Sequence, residues 1–315
     1  MTYKKYTPFN TSEFTLIKTF ILLFSFSFNA NADTLSDKVS ACNIALNKAD
    51  LASAMSLSDD ILKQQTNNRD GLLCKGRALG ALGKHDESLS ALQLAEKQSQ
   101  PGFEQILAHI FIGNSHRNNN KFSEAIASYE TSIKACDAEK HMEKYKRVNL
   151  NLIGDTHTQN KDLNAALASY TAANKLAMND NERADDFERL AATYSALGKN
   201  NEAVEYQLKA TLMQDKSGTR EQFANASVAL GRVYETAKDY PAAENTYRKL
   251  LKFSKDNGSS YYETLANFGL ARNKAALGDT ASAKTMLVDA SSMAKSIGEA
   301  DLAAEIEASL KKLAN

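Results

Sequence analysis

A self-similar frame recurs along most of this 315-residue chain, and it restricts the fold more than any other property of the sequence. Its fullest copy is SVALGRVYETAKDYPAAENTYRKLL, where Gly231 is followed by Tyr234, Asp239, Ala243 and Tyr247. The same frame fits at Gly113 (Lys121, Ala125, Tyr129), Gly154 (Asp162, Ala166, Tyr170), Ala191 (Tyr194, Lys199, Ala203) and Ala271 (Asp279, Ala283, Leu287). Fainter copies begin at Gly76 and Cys42, so the seven anchors stand 34, 37, 41, 37, 40 and 40 residues apart. Repetition at that period points to stacked supersecondary units rather than one closed core.

Each copy carries an apolar stripe at helical spacing, a short polar break such as LGKN, AKDY or LGDT, and a second stripe. That is a helix-turn-helix hairpin. A small anchor, with alanine twelve residues later, lets the two backbones approach, and one hairpin alone leaves a face unburied, so hairpins must stack. Only 3 prolines and no tryptophan occur, and no series of alternating β-branched segments suggests a sheet. Thr219-x-x-Gln222 and Ser260-x-x-Glu263 read as capping boxes, and Pro241 falls in a first helical turn. The expected fold is all-α: a right-handed superhelical solenoid of about seven antiparallel hairpins. They are expected near residues 36–65, 69–98, 102–137, 140–178, 182–214, 219–256 and 259–296, within a repeat domain over 33–298. In residues 299–315, Leu302, Ile306, Leu310 and Leu313 share one helix face. Lys311 stands where another small anchor would be needed, which predicts a capping helix.

A small residue, an aromatic three on, a G-D-Y-like turn and alanine before tyrosine resemble the tetratricopeptide repeat family, over roughly residues 36–296. The copies at Gly231, Gly113, Gly154 and Ala191 carry most of that likeness. Spacing near 40 is similar to a longer-repeat, exported bacterial branch. The resemblance implies that first helices line a concave groove where ligands lie. The groove residues it implies are Arg77, Asn114, Arg117, Asn151, Asp155, Glu188, Arg232, Glu235 and Arg272, with Thr158, Asp185 and Phe268 beside them. Arginines would flank an acidic middle, which suits an extended peptide or a partner helix of alternating charge.

Residues 1–32 read as a targeting segment: Lys4, Lys5 and Lys18, the apolar run TFILLFSFSF, then Asn29-Ala30-Asn31-Ala32 for cleavage near Ala32. A periplasmic or secreted protein is expected, or alternatively an inner-membrane anchor formed by residues 19–28. Lys+Arg and Asp+Glu are equal at 38 each, which supplies no general attraction to nucleic acid or anionic membrane. The three cysteines are too few for a disulfide framework. They serve either as small buried apolar groups or, for Cys42 and Cys74 on successive first helices, as one bridge, which needs Cα atoms within about 7 Å.

The sequence lacks a phosphate loop, a dinucleotide fingerprint, H-E-x-x-H, G-x-S-x-G and a calcium loop. His109, His116 and His157 do not show metal-ligand spacing, and read as inter-helix side chains. The expectation is a non-enzymatic scaffold or adaptor in the bacterial envelope with no cofactor or metal. Its partners are other proteins or peptides, with no nucleic acid, no small-molecule substrate and no membrane insertion of the mature chain. The alternative is a regulatory sensor in which a peptide or effector changes superhelical pitch.

Overall fold

The left-handed residue that ends each first helix sits at one fixed place in the frame, seven positions after the anchor. In the computed structural model, which describes residues 34–314, these are Ala49, Gly83, Asn120, Lys161, Gly198, Lys238 and Gly278, with φ between 56° and 86°. The next amide then returns to a carbonyl of the last helical turn: Asp50 to Ala45, Asp239 to Tyr234 and Asp279 to Lys274, at 2.9–3.0 Å. Those carbonyls would otherwise lack partners. Where that next residue is aspartate, it also caps the second helix. Asp50, Asp162, Asp239 and Asp279 each accept the amide three residues on, at 3.1–3.2 Å. Lys84 and Lys199 hold the same position and make no side-chain cap.

Fifteen α-helices result, and no strand occurs among the described residues. They are α1 Leu35–Asn47, α2 Leu51–Gln64, α3 Arg69–Ala81, α4 His85–Lys97, α5 Phe103–Asn118, α6 Phe122–Asp137, α7 Glu143–Gln159 and α8 Leu163–Asn174. The remainder are α9 Asp180–Ala196, α10 Asn200–Ser217, α11 Arg220–Thr236, α12 Tyr240–Asp256, α13 Ser260–Ala276, α14 Thr280–Ser296 and α15 Ala300–Ala314. Consecutive pairs make seven hairpins, and α15 covers the last of them with Leu302 and Ile306 buried. The Thr219–Gln222 capping box forms, at 2.8 and 3.1 Å. The one expected at Ser260 does not: Ser259 is the N-cap, and its hydroxyl makes no capping bond.

Inside a hairpin the anchor meets the residue sixteen positions later. A Cβ on Gly113, Gly154 or Gly231 would overlap the ring of Tyr129, Tyr170 or Tyr247, respectively. Where the facing residue is Ser58, Gln207 or Leu287, the anchor is Cys42, Ala191 or Ala271, all buried. Volume is therefore traded across most of these interfaces, as close packing demands, whereas at the second hairpin Gly76 faces Leu92, which an added Cβ would also overlap.

The chain divides into two compact units, residues 1–135 and 136–315. In the first, Cys42, Ala54, Ile61, Cys74 and Ala78 form one core cluster, and Leu72, Leu92, Ala95 and Ile112 form another. Cys42 and Cys74 are joined by a disulfide with Cα atoms 6.4 Å apart, tying α1 to α3. In the second unit the largest cluster runs from Ala224 through Leu250, Phe268 and Leu287 to Ile306. Cys136 is a buried free thiol there, pushed up to about 11 by burial and the Asp137 charge. Within each unit successive first helices touch: α1, α3 and α5 in one, and α9, α11, α13 and α15 in the other. Among the described residues no pair of second helices shows a comparable contact. The first helices thus form the inner wall of each unit, and the second helices its outer side.

Candidate functional site

The inner wall of the first unit carries Arg77 on α3 and Asn114 on α5, both half-buried. Arg77 Nη1 donates to Asn43 Oδ1 at 2.8 Å, and its guanidinium lies 4.8 Å over the Phe111 ring. Burial pulls its pKa down to about 10, so it stays charged at neutral pH. The Tyr129 hydroxyl donates to Asn114 Oδ1 at 2.7 Å. Arg117 is half-buried in the last turn of α5.

The second unit holds a buried charge network between α7, α8 and α9. Arg147, 3 % exposed at its side chain, forks onto Asp186 through Nε at 2.9 Å and Nη2 at 2.8 Å, and Nη2 also donates to the Glu182 carbonyl at 2.6 Å. Asn151 donates to the same carboxylate at 2.7 Å. Two turns beyond Arg147, Asp155 accepts from the Tyr170 hydroxyl at 2.7 Å and from Arg189 Nη1 at 2.6 Å. Burying such pairs is tolerable only with this density of partners.

Asp185 and Glu188 stand one turn apart on α9, and among the described residues neither carboxylate makes an ion pair or hydrogen bond. Burial raises Asp185 to about 6, with Arg147 and Arg189 opposing the rise. Burial and then the Asp185 charge raise Glu188 to about 7. On α11 and α13 the charges are matched: Arg272 pairs with Glu235 at 3.1 Å, donates to the Tyr247 hydroxyl at 3.2 Å and lies 4.5 Å over Phe268. Arg232 is half-buried on α11.

The implied groove residues therefore separate by role. Asn151 and Asp155 are locked into the α7–α9 network, and Glu235 and Arg272 hold each other. Phe268, at 1 % exposure, is a buried platform under Arg272 rather than a presented side chain, because its α13 position faces the core cluster. Thr158 is exposed and donates to the Gly154 carbonyl at 3.0 Å. Arg77, Asn114, Asp185, Glu188 and Arg232 remain half-open on the wall. Sequence reading missed Arg147, Asp186, Arg189 and Tyr170 as one network. A usable signal was present: Arg147 and Asp186 are 39 residues apart and Asp155 and Arg189 are 34 apart, opposite charges about one repeat distant.

Among the described residues no three His, Cys, Asp or Glu side chains converge as a metal site, and no helix is long and apolar enough to cross a membrane. Burial lowers the pKa of both His109 and His116. The segment read as a targeting signal lies outside the described residues.

Tandem helical hairpins with small anchors, left-handed turns and an inner wall of first helices define a tetratricopeptide-like solenoid. Residues 185–256, which span the fifth and sixth hairpins, match the tetratricopeptide repeat family. No curated protein sequence matches the chain. Among solved structures the chain is similar to the apo form of RapI, with a TM-score of 0.62 at 11% identity over 90% of this chain and 87% of that one. It is also similar to aspartyl phosphate phosphatase F from Bacillus subtilis, with 0.59 at 12% identity over 90% and 80%. A third is PilW, a widely conserved type IV pilus biogenesis factor, with 0.54 at 14% identity over 74% and 97%. At such identities the likeness concerns the fold.

Proposed function

We propose that this chain is a non-enzymatic scaffold that holds a peptide or helix of a partner protein along the inner wall of its first helices. We further propose that it works in the bacterial envelope after cleavage near Ala32, with residues 33–298 as a long-repeat array and the final helix as its stop. The observation that carries the reading is the pair Asp185 and Glu188. These two carboxylates are enclosed by protein on the inner wall yet reached by solvent, and among the described residues no cation is bonded to them. Leaving charge half-desolvated costs stability unless a ligand uses it. Arg232 supplies the opposite sign on α11, the next first helix along the wall, which matches a partner of alternating charge. The targeting segment supports the envelope, as does the likeness to a pilus biogenesis factor.

The test is binding of a partner isolated by in-cell cross-linking, compared between the natural chain and the Glu188→Lys and Arg232→Glu variants by titration calorimetry. Each reversal should weaken binding at least about tenfold, as charge-assisted contacts do. Unchanged affinity in both rejects the inner wall. An alkaline phosphatase fusion after residue 40 tests export separately, and an inactive fusion rejects the envelope assignment.

A further inference from the structure

Equal totals of acidic and basic residues conceal an uneven distribution over the second helices. α2, α4, α6 and α10 each carry more acidic than basic side chains, whereas α12 carries Arg248, Lys249, Lys252 and Lys255 against Glu244 and Asp256. All four cations are exposed. Glu244 engages Arg248 at 2.6 Å, and Lys255 lies 3.7 Å from Glu263. Lys249 and Lys252 make no ion pair among the described residues, and neither does Lys284 on α14. Arg248, Lys252 and Lys255 fall on one face of α12 and, with Leu251 and the single carboxylate of Asp256, line an open hollow of about 300 Å³. The helices on either side present apolar groups at the same place in the repeat frame. Seventeen positions after the anchor stand Leu208 on α10, Arg248 on α12 and Val288 on α14, and twenty-one positions after it stand Leu212, Lys252 and Ser292. Leu208, Leu212 and Val288 are 38 %, 61 % and 50 % exposed. The first four hairpins carry Asp59, Gln93, Glu130 and Thr171 at the seventeenth position, all polar. Leucine and valine therefore largely forgo burial on the two helices that flank the second helix with the largest surplus of positive charge.

We propose that the outer side of α10, α12 and α14 adsorbs to an anionic phospholipid surface. Lipid phosphates meet Arg248, Lys252 and Lys255 around their hollow, Lys249 and Lys284 add long-range attraction, and Leu208, Leu212 and Val288 enter the headgroup layer. Charge complementarity selects this occupant, because each lysine or arginine near an anionic leaflet adds to binding and long basic side chains reach phosphates past an apolar neighbour. Apolar groups beside the cations supply the second component of interfacial binding, burial at the acyl boundary. These side chains are spread across three helices rather than along one groove, which suits a broad fluid surface better than an extended peptide. The contact is peripheral: the side chains reach the interface while the helices stay outside it. It goes beyond the inner-wall reading and shares no residue with it.

Vesicle sedimentation with the oxidised mature chain tests this. One set of vesicles is phosphatidylcholine alone, and the other is equal parts phosphatidylcholine and phosphatidylglycerol. Binding to the second set and not the first is expected, and it should fall as salt is raised. Lys249→Gln with Lys252→Gln should weaken it at least about tenfold, since each lysine near the surface is worth about fivefold. Leu212→Gln with Val288→Gln should also weaken it, while the salt dependence stays that of the natural chain. Lys175→Gln removes an exposed lysine twenty-one positions after the Gly154 anchor, away from this face, and should change binding less than about twofold. Equal binding to both sets, binding to neither, or indifference to the lysine pair overturns the proposal. Inorganic phosphate is titrated in parallel, with the lysine side-chain resonances as readout. Saturable phosphate binding at Lys252 and Lys255 without vesicle binding would assign the hollow to a soluble phosphate ligand and overturn the lipid surface. If vesicle binding fails while the natural partner still depends on Glu188 and Arg232, only this surface falls. If the vesicles bind while the partner ignores the inner wall, the scaffold reading falls and this surface stands.

Discussion

Gly231→Ala isolates the contact on which each hairpin is built. In an open helix the change gains about 1 kcal/mol, since glycine is the poorer helix former. Here the new methyl would overlap the Tyr247 ring, which is fully buried and has Gly269 against it as well. A ring confined between two glycines has little room to move, so overpacking takes the upper part of its usual range of about 1–3 kcal/mol. The net expectation is a loss of about 1–2 kcal/mol. In a Tyr247→Leu background the hairpin instead resembles the seventh one, where Ala271 sits with Leu287. The same Gly231→Ala change should there become stabilising by up to about 1 kcal/mol, a coupling of about 2–3 kcal/mol. Native-state hydrogen exchange over α11 and α12 is the suitable assay, because long repeat arrays need not unfold in one step. An effect of the same sign and size in both backgrounds would refute the volume trade.

Lys161 and Lys238 adopt left-handed backbone at φ 65° and 60° where three of the hairpins use glycine. Lys161→Gly and Lys238→Gly should each stabilise by up to about 1 kcal/mol, read as a higher urea midpoint. Arg147→Ala strands Asp186 in the interior and should cost about 3–5 kcal/mol, whereas Arg147→Met with Asp186→Leu recovers most of the loss in thermal melts. Burial lifts Glu188 from the ordinary glutamate range to about 7, so the folded chain holds that proton more tightly than the unfolded chain. Its contribution therefore falls as pH rises through that window. Glu188→Gln should leave melting at pH 4 unchanged and raise it at pH 8, with a residual slope from Asp185 near 6. An unaltered profile would contradict the burial argument.

The repeat was legible because its determinants are local: a small anchor, a turn seven residues on, and an aspartate that caps the following helix. The final helix was legible for the same reason, its lysines marking where no further anchor exists. The capping box placed at Ser260 was a register error of one residue, since Ser259 and Ser260 are equally good caps in sequence. The Arg147–Asp186 pair was hidden because Lys-Arg-Val-Asn in α7 reads as solvated surface. Its burial depends on how α9 seats against α7, which no property of either helix announces alone. The state of Cys42 and Cys74 was open for the same reason, as a bridge depends on the register of α1 against α3. The wall position of Glu188 followed from the family frame, but its lack of a bonded cation required the neighbouring side chains.

The most direct test of an inner binding wall places a photo-cross-linking residue at exposed Ala192, beside the α9 anchor, and at exposed Leu212 and Val288 on second helices. With the natural partner in cells, the inner-wall account predicts a discrete adduct from position 192 and none from 212 or 288. Adducts from 212 or 288 with none from 192 would move binding to the outer side and contradict it.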